Sequence, residues 1–231
     1  SAALMTLIYT SGTTGQPKGV MISHENMVVN CQACLRAIPI HPDDVLLSFL
    51  PLSHSFERMA GYYMPALFGG ATIYYSEGLD RLIEDIAEVR PTLMTGVPRL
   101  YEKIYGRVQE MRLQTGAVRR VVMDAALSVG ARMTRRQQSG RQASKILTWQ
   151  YEWLRDKIFK DLHDRLGGRL RLLVSGGAPL AAEIAEFFYS SGILILEGYG
   201  LTETSPVVSV NRPGVYRLGS VGKALDNVRV R

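Results

Sequence analysis

Residues Tyr9 to Val20 read YTSGTTGQPKGV: three glycines, three threonines, one serine and one lysine in twelve positions. Small residues let backbone N–H groups approach an anion, hydroxyls add donors, and Lys18 adds charge, which together make a phosphate-binding loop. The ordinary P-loop is excluded, because Pro17 stands before Lys18 and Gly19 follows it. A flexible surface linker has a similar composition, but the flanks argue against one. The run LMTLIY, Leu4 to Tyr9, reads as a buried strand. From Ser23, as N-cap, the recurrence of Met27, Val28, Cys31, Cys34 and Leu35 reads as a helix. The expected arrangement is strand, Gly-rich turn, helix.

Three further segments carry chemistry. LPLSHSFER holds His54, Glu57 and Arg58; VSGGAPL holds Gly176, Gly177 and Ala178; EGYGLTETSP holds Tyr199, Thr202, Glu203 and Thr204. A tyrosine can stack on a base, threonine can bond phosphate, and a carboxylate can hold Mg²⁺ among phosphate oxygens. Singly, each has a plain reading: a capping histidine, a turn before a helix, a core tyrosine, a solvated carboxylate. Four such segments in one chain favour a nucleotide–Mg²⁺ site.

These residues need strand ends to carry them. DVLLSFLPL, TIYYS, PTLMTGVP, RLRLLVSGG and ILILEGYG read as strands. RMAGYYMPALFGGA, LDRLIEDIAEV (with Leu79, Leu82, Ile83, Ile86 and Val89 on one face), RLYEKIYGRVQEM and APLAAEIAEFFYSSG read as helices. The alternation predicts an α/β fold with largely parallel sheets flanked by helices, and ligands at the C-terminal ends of the strands. The terminal NVRVR reads as a strand that breaks off, so the chain is expected to be a piece of a larger protein.

The 231 residues, 46% hydrophobic and 21% charged, are ordinary for a globular chain. No apolar run approaches the ~18–20 residues of a membrane-spanning helix. The only cysteines, Cys31 and Cys34, lie on the apolar stripe of a helix with no second pair to complete a four-ligand metal site, so core packing is expected.

YTSGTTGQPKGV together with GYGLTETSP resembles the adenylate-forming (AMP-binding) synthetase superfamily, and LPLSH, SGGAPL and GSVGKAL follow in the family's order. Within it, LPLSHSFER, GVPRLYEKIY, LGGRLRLLVSGGAPL and a helical insert from about 111 to 167 look most like long-chain fatty acyl-CoA synthetases. The resemblance implies ATP-dependent activation of a long-chain fatty acid to acyl-AMP and then acyl-CoA, with ATP, Mg²⁺ and CoA. It implies Mg²⁺-associated positions at Thr10 and Glu203, and a phosphate loop of Ser11, Gly12, Thr13, Thr14, Gly15 and Lys18. Gly177, Ala178, Glu197, Gly198 and Tyr199 would border adenine and AMP. Thr202 would contact the α-phosphate, His54 would lie beside the acyl carboxylate, and Ser55 would touch the adenylate. Lys18, His54, Thr202 and Glu203 are the expected catalytic set. By the same resemblance, residues 1–231 are part of the large ATP/AMP-binding domain. The family's ribose-binding Asp segment and its small C-terminal domain, with a catalytic lysine, do not occur within them. Activation of an aryl or amino acid, transfer to a carrier protein, and a non-catalytic scaffold are the alternatives.

Charge is concentrated. Residues 99–171 hold 17 Lys and Arg against 7 Asp and Glu, net +10, while the rest of the chain is net −4. Leu147, Tyr151, Leu154, Ile158 and Leu162 form a helical stripe there beside Trp149 and Trp153. A solvated basic face over a packed stripe is the plain reading. Peripheral contact with an anionic membrane, at the inner face of a cytoplasmic enzyme, is the sharper one. No nucleic-acid-binding motif accompanies the charge.

Overall fold

The computed structural model describes residues 1–11 and 16–231, and of Ser11 the backbone only. Strands β1 (Leu4–Ser11) and β2 (Pro17–Ser23) pair antiparallel as a separate two-stranded sheet. The Gly-rich loop therefore joins two strands of a hairpin; it is not the strand-to-helix turn expected from sequence. Nor is β1 a buried strand: Ile8 is buried, but Leu4, Leu7 and Tyr9 are exposed, because this sheet has no third strand. Helix α1 (His24–Ala37) does begin at Ser23, whose hydroxyl accepts from the Asn26 N–H at 3.1 Å while the Asn26 side chain accepts from the Ser23 N–H at 3.0 Å. Met27, Cys31 and Cys34 face the core as read, whereas Val28 is exposed. Burial pushes both thiols up to about 12, as expected of packing residues.

The main sheet has seven strands in the order β4-β3-β5-β6-β7-β8-β9. They are β3 (Val45–Ser48), β4 (Thr72–Tyr75), β5 (Leu93–Gly96), β6 (Leu172–Ser175), β7 (Ile195–Gly200), β8 (Val207–Val210) and β9 (Lys223–Ala224). The first five are parallel, and β8 and β9 run antiparallel at one edge. Residues 227–231 form no strand, against expectation.

Strand periodicity builds two cores. Leu46, Leu93, Leu172 and Leu196 pack on one face with α1 and a wide π-helix, Arg58–Gly69. Their chain neighbours Leu47, Met94, Leu173 and Ile195 pack on the other. That second face is covered by α3 (Leu82–Val89), α4 (Pro98–Gln114), α5 (Ala117–Gln138), α6 (Lys145–Ile158), α7 (Lys160–Arg165) and α8 (Ala182–Ser190). Helix α3 starts later than its apolar pattern, which leaves Leu79 outside it and exposed. Leu82 and Ile86 are buried and Val89 is partly so, but Ile83 is exposed.

Candidate active site

The predicted strand-end loops meet at one cleft of about 450 Å³. The hairpin contributes Thr10 and Lys18, eight residues apart in sequence but directly opposite in the β1–β2 register. The exit of β6 contributes Gly176 and Gly177, and the exit of β7 contributes Gly198, Tyr199, Gly200, Thr202 and Glu203. Between β3 and the π-helix, the chain turns through a short helix, α2 (Ser55–Glu57), and contributes His54 and Ser55.

Local bonds fix these groups. His54 caps α2, and its Nδ1 accepts the Phe56 N–H at 3.2 Å. A ring nitrogen that accepts carries no proton, so the neutral imidazole holds its proton on Nε2 and is a donor there. The Ser55 and Thr202 hydroxyls lie 3.2 Å apart and tie α2 to the β7 exit. Thr202 and Glu203 sit in a single 3₁₀ turn, Thr202–Thr204. The segment closes on itself, with Leu201 N–H donating to the Pro206 carbonyl at 3.0 Å. Gly200 permits this, since a Cβ there would stand 2.1 Å from the Pro206 oxygen.

Apart from Thr95, the rest of the cleft is largely apolar. Cys34 and Ile38 come from the end of α1, Met59, Ala60 and Met64 from the π-helix, and Leu93, Val207 and Val210 from the sheet. Asn30 steadies this wall: its amide donates to the Val207 carbonyl at 2.8 Å and accepts the Val207 N–H at 3.2 Å, locking α1 to β8. Sequence reading assigned Cys34 to core packing, gave the other residues no place in the site, and missed the wall.

Other expected site residues stand elsewhere. Glu197 is buried outside the cleft lining. Burial raises its pKa, and the neighbouring backbone N–H groups of Leu180 and Gly219 oppose the rise. Ala178 is exposed and does not line the cleft. The Ser11 side chain and Gly12, Thr13, Thr14 and Gly15 lie outside the described residues. Arg58 donates to the Leu52 carbonyl at 2.8 Å and the Thr6 hydroxyl at 2.7 Å, holding the His54 loop to β1.

Among the described residues, no three His, Cys, Asp or Glu side chains gather into a metal cage. The cleft instead offers one carboxylate, Glu203, beside the hydroxyls of Thr10, Ser55, Thr95, Tyr199 and Thr202. A single carboxylate with hydroxyl oxygens suits a hard cation that takes its remaining ligands from water and substrate phosphate, as Mg²⁺ does.

Comparison with known proteins agrees with this arrangement. The AMP-binding enzyme family matches residues 1–231. Over 218 residues the chain is 37% identical to the peroxisomal long chain acyl-CoA synthetase 6 of Arabidopsis thaliana, covering 94% of this chain and 30% of that protein. It is 34% identical over 231 residues to the long-chain-fatty-acid–CoA ligase ACSBG2 of Gallus gallus, covering 97% of this chain and 30% of the relative. The chain thus spans under a third of the length of these two relatives. Among solved structures, ATP-bound MatB from Rhodopseudomonas palustris superposes with a TM-score of 0.62 at 28% identity, over 97% of this chain and 34% of that one. On the full-length family match, and with four of the family's sequence motifs meeting at one cleft, the chain belongs to the AMP-binding enzymes.

Proposed function

We propose that the protein containing this chain activates a long-chain fatty acid. The acid's carboxylate attacks the α-phosphorus of ATP, forming acyl-AMP and releasing pyrophosphate; the thiol of CoA then attacks the acyl carbonyl, forming the thioester and releasing AMP. One observation carries the reading: Lys18, His54, Thr202 and Glu203 edge the same cleft whose wall is Ile38, Met59, Met64, Val207 and Val210. A carboxylate with a hydrocarbon tail matches a polar side continuous with an apolar wall, and an amino acid side chain with charge does not.

In this reading His54 Nε2–H donates to an acyl oxygen, and Thr202 donates to the α-phosphate. Lys18 faces the outer phosphates. Gly177, Gly198 and Tyr199 border the adenine. Thr10 and Glu203 would hold Mg²⁺, which offsets charge on the pyrophosphate as it departs. The test is pyrophosphate release by the full-length parent with ATP, Mg²⁺ and acids of graded chain length, beside benzoate and amino acids. Turnover with long-chain acids is expected. Turnover confined to aryl or amino acids would replace the substrate, and ATP binding without turnover on any acid would mark a scaffold.

The same reading makes the enzyme cytoplasmic and peripheral to an anionic membrane, with no nucleic-acid partner. Among the described residues no helix is long and apolar enough to cross a bilayer. Ile146, Trp149 and Trp153, spaced three and four apart on α6, are 70%, 65% and 51% exposed. Exposed tryptophans on a strongly basic insert suit the interface of an anionic bilayer. The full-length parent is expected to sediment with vesicles containing phosphatidylglycerol and not with pure phosphatidylcholine, and Trp149→Ser/Trp153→Ser is expected to lose at least tenfold in binding. Equal sedimentation of variant and parent would remove this face from the membrane contact.

A further inference from the structure

One carboxylate beside the cleft has no part in that reaction. Glu57 is completely buried. Its Oε1 accepts from the Ser48 hydroxyl at 2.6 Å and its Oε2 from the Thr95 hydroxyl at 2.7 Å. Among the described residues no Lys, Arg or His forms an ion pair with it. Burial raises its pKa, and the two hydroxyls work the other way.

Such a group is poorly explained by stability. A buried carboxylate without a cation pays desolvation that two hydroxyls only partly return, and an apolar side chain of like volume would pack at less cost. The chain has also made room for it. A Cβ on Gly61 would lie 2.3 Å from Glu57 Oε1, so only glycine fits one turn further along the same helical segment. That segment is the π-helix that begins directly after Glu57.

Its partners explain the geometry. Ser48 is the last residue of β3 and Thr95 lies near the end of β5, the neighbouring parallel strand. Glu57 closes the turn that opens with His54 and Ser55, both on the cleft. With one hydroxyl bonded to each of its oxygens, the Glu57 carboxyl group links both strands at once and seats α2 across both strand ends. An apolar residue would fill the volume and leave the angle of that turn to packing.

We propose that Glu57 is a positioning residue for acyl activation, setting His54 and Ser55 over the cleft through its bonds to Ser48 and Thr95. The proposal rests on the function assigned above to this cleft. A displacement of about 1 Å in a group that orients the reacting atoms can cost roughly 10²-fold in rate.

The experiment is steady-state adenylation by the full-length parent carrying Glu57→Met, with thermal unfolding measured alongside. The expected result is a parental or higher unfolding temperature, kcat lower by roughly 10–100-fold, and a KM for ATP within about twofold of the parent. The decisive arm is a double-mutant cycle with His54→Ala. If Glu57 acts through His54, Glu57→Met costs little further in that background. Independent, multiplying losses would overturn the proposal, as would parental kcat in folded Glu57→Met. Should Glu57→Met fail to fold, Ser48→Ala removes one of the two donors at a residue outside the cleft lining. It is then expected to lower kcat several-fold, again without adding to His54→Ala, and parental kcat in that variant would overturn the proposal. If the parent activates a different carboxylate, the cycle runs on that acid. An error in the substrate therefore stays distinct from an error about Glu57, and a parent with no turnover on any acid overturns both.

Discussion

In the full-length parent, Glu203→Gln is expected to lower the rate of adenylation by roughly 10²–10³-fold while leaving the fold intact, the scale set by loss of one preorganised transition-state contact. The two halves of this expectation are separable because of where the residue sits. Glu203 is exposed, lies in a single turn of 3₁₀-helix, and among the described residues makes no hydrogen bond or ion pair. Its removal takes no internal bond with it. Glutamine keeps the shape and removes the charge, and charge is what a hard cation requires of its ligand. The loss should be partly recovered at high Mg²⁺, since weakened binding of the cation is overcome by mass action. Thr202→Ala gives the contrast: it takes a donor from the phosphate side and releases Ser55, and no rise in Mg²⁺ should restore it. ATP–pyrophosphate exchange across a Mg²⁺ titration measures both. A Glu203→Gln enzyme within threefold of the parent at every Mg²⁺ concentration would exclude the carboxylate from the metal site.

The sequence disclosed the parts of this site whose chemistry is written in composition. Thr10 and Lys18, Gly176 and Gly177, and Tyr199, Thr202 and Glu203 announce themselves through small and hydroxyl residues at the ends of apolar runs, and the structure brings them to one cleft. The parallel sheet was legible for a related reason. Pairs such as Leu46–Leu47 and Leu172–Leu173 are buried on both faces, which produces short continuous apolar runs separated by helical patterns.

Pairing was harder to read. PKGVMIS follows a glycine-rich loop and opens with a proline and a lysine, so it resembles the approach to the helix at Ser23. It is a strand, with Pro17 at its first position, where the missing N–H is tolerated. The run LMTLIY reads as core, yet burial depends on what covers a strand, and a two-stranded sheet covers little. Glu197 shows the reverse limit. Its place at a strand end beside the cleft matches a ligand, but it is buried outside the cleft lining, with the backbone N–H groups of Leu180 and Gly219 as neighbours. Tertiary partners of this kind leave no local pattern, and the same holds for the hydroxyls of Ser48 and Thr95 that receive Glu57.

Gly61 offers a test of that buried arrangement through stability alone. In most helices Gly→Ala is favourable by about 1 kcal/mol, because alanine loses less backbone entropy on folding. Here the new methyl would meet the Glu57 carboxylate, at 2.3 Å from Oε1 and 2.5 Å from Cδ. Glu57 is held at both oxygens and cannot swing away without losing a hydroxyl bond inside the core. Overpacking of this kind costs ~1–3 kcal/mol, and leaving a buried donor unpaired adds ~1–3 kcal/mol. Gly61→Ala is therefore expected to destabilise the protein by about 3 kcal/mol, opposite in sign to the helix propensity. Shortening the obstacle should restore the usual sign. In a Glu57→Ser background the methyl has space, and Gly61→Ala is expected to be neutral or to stabilise by up to ~1 kcal/mol. The coupling between the two positions then amounts to about 3–4 kcal/mol, at or above the upper end for residues in contact. Urea unfolding midpoints of the four proteins in the cycle, read at one pH with a common slope, measure it. Additive effects, within ~0.5 kcal/mol, would mean that the carboxylate yields freely to the methyl. Its two hydroxyl bonds would then not fix the turn that carries His54.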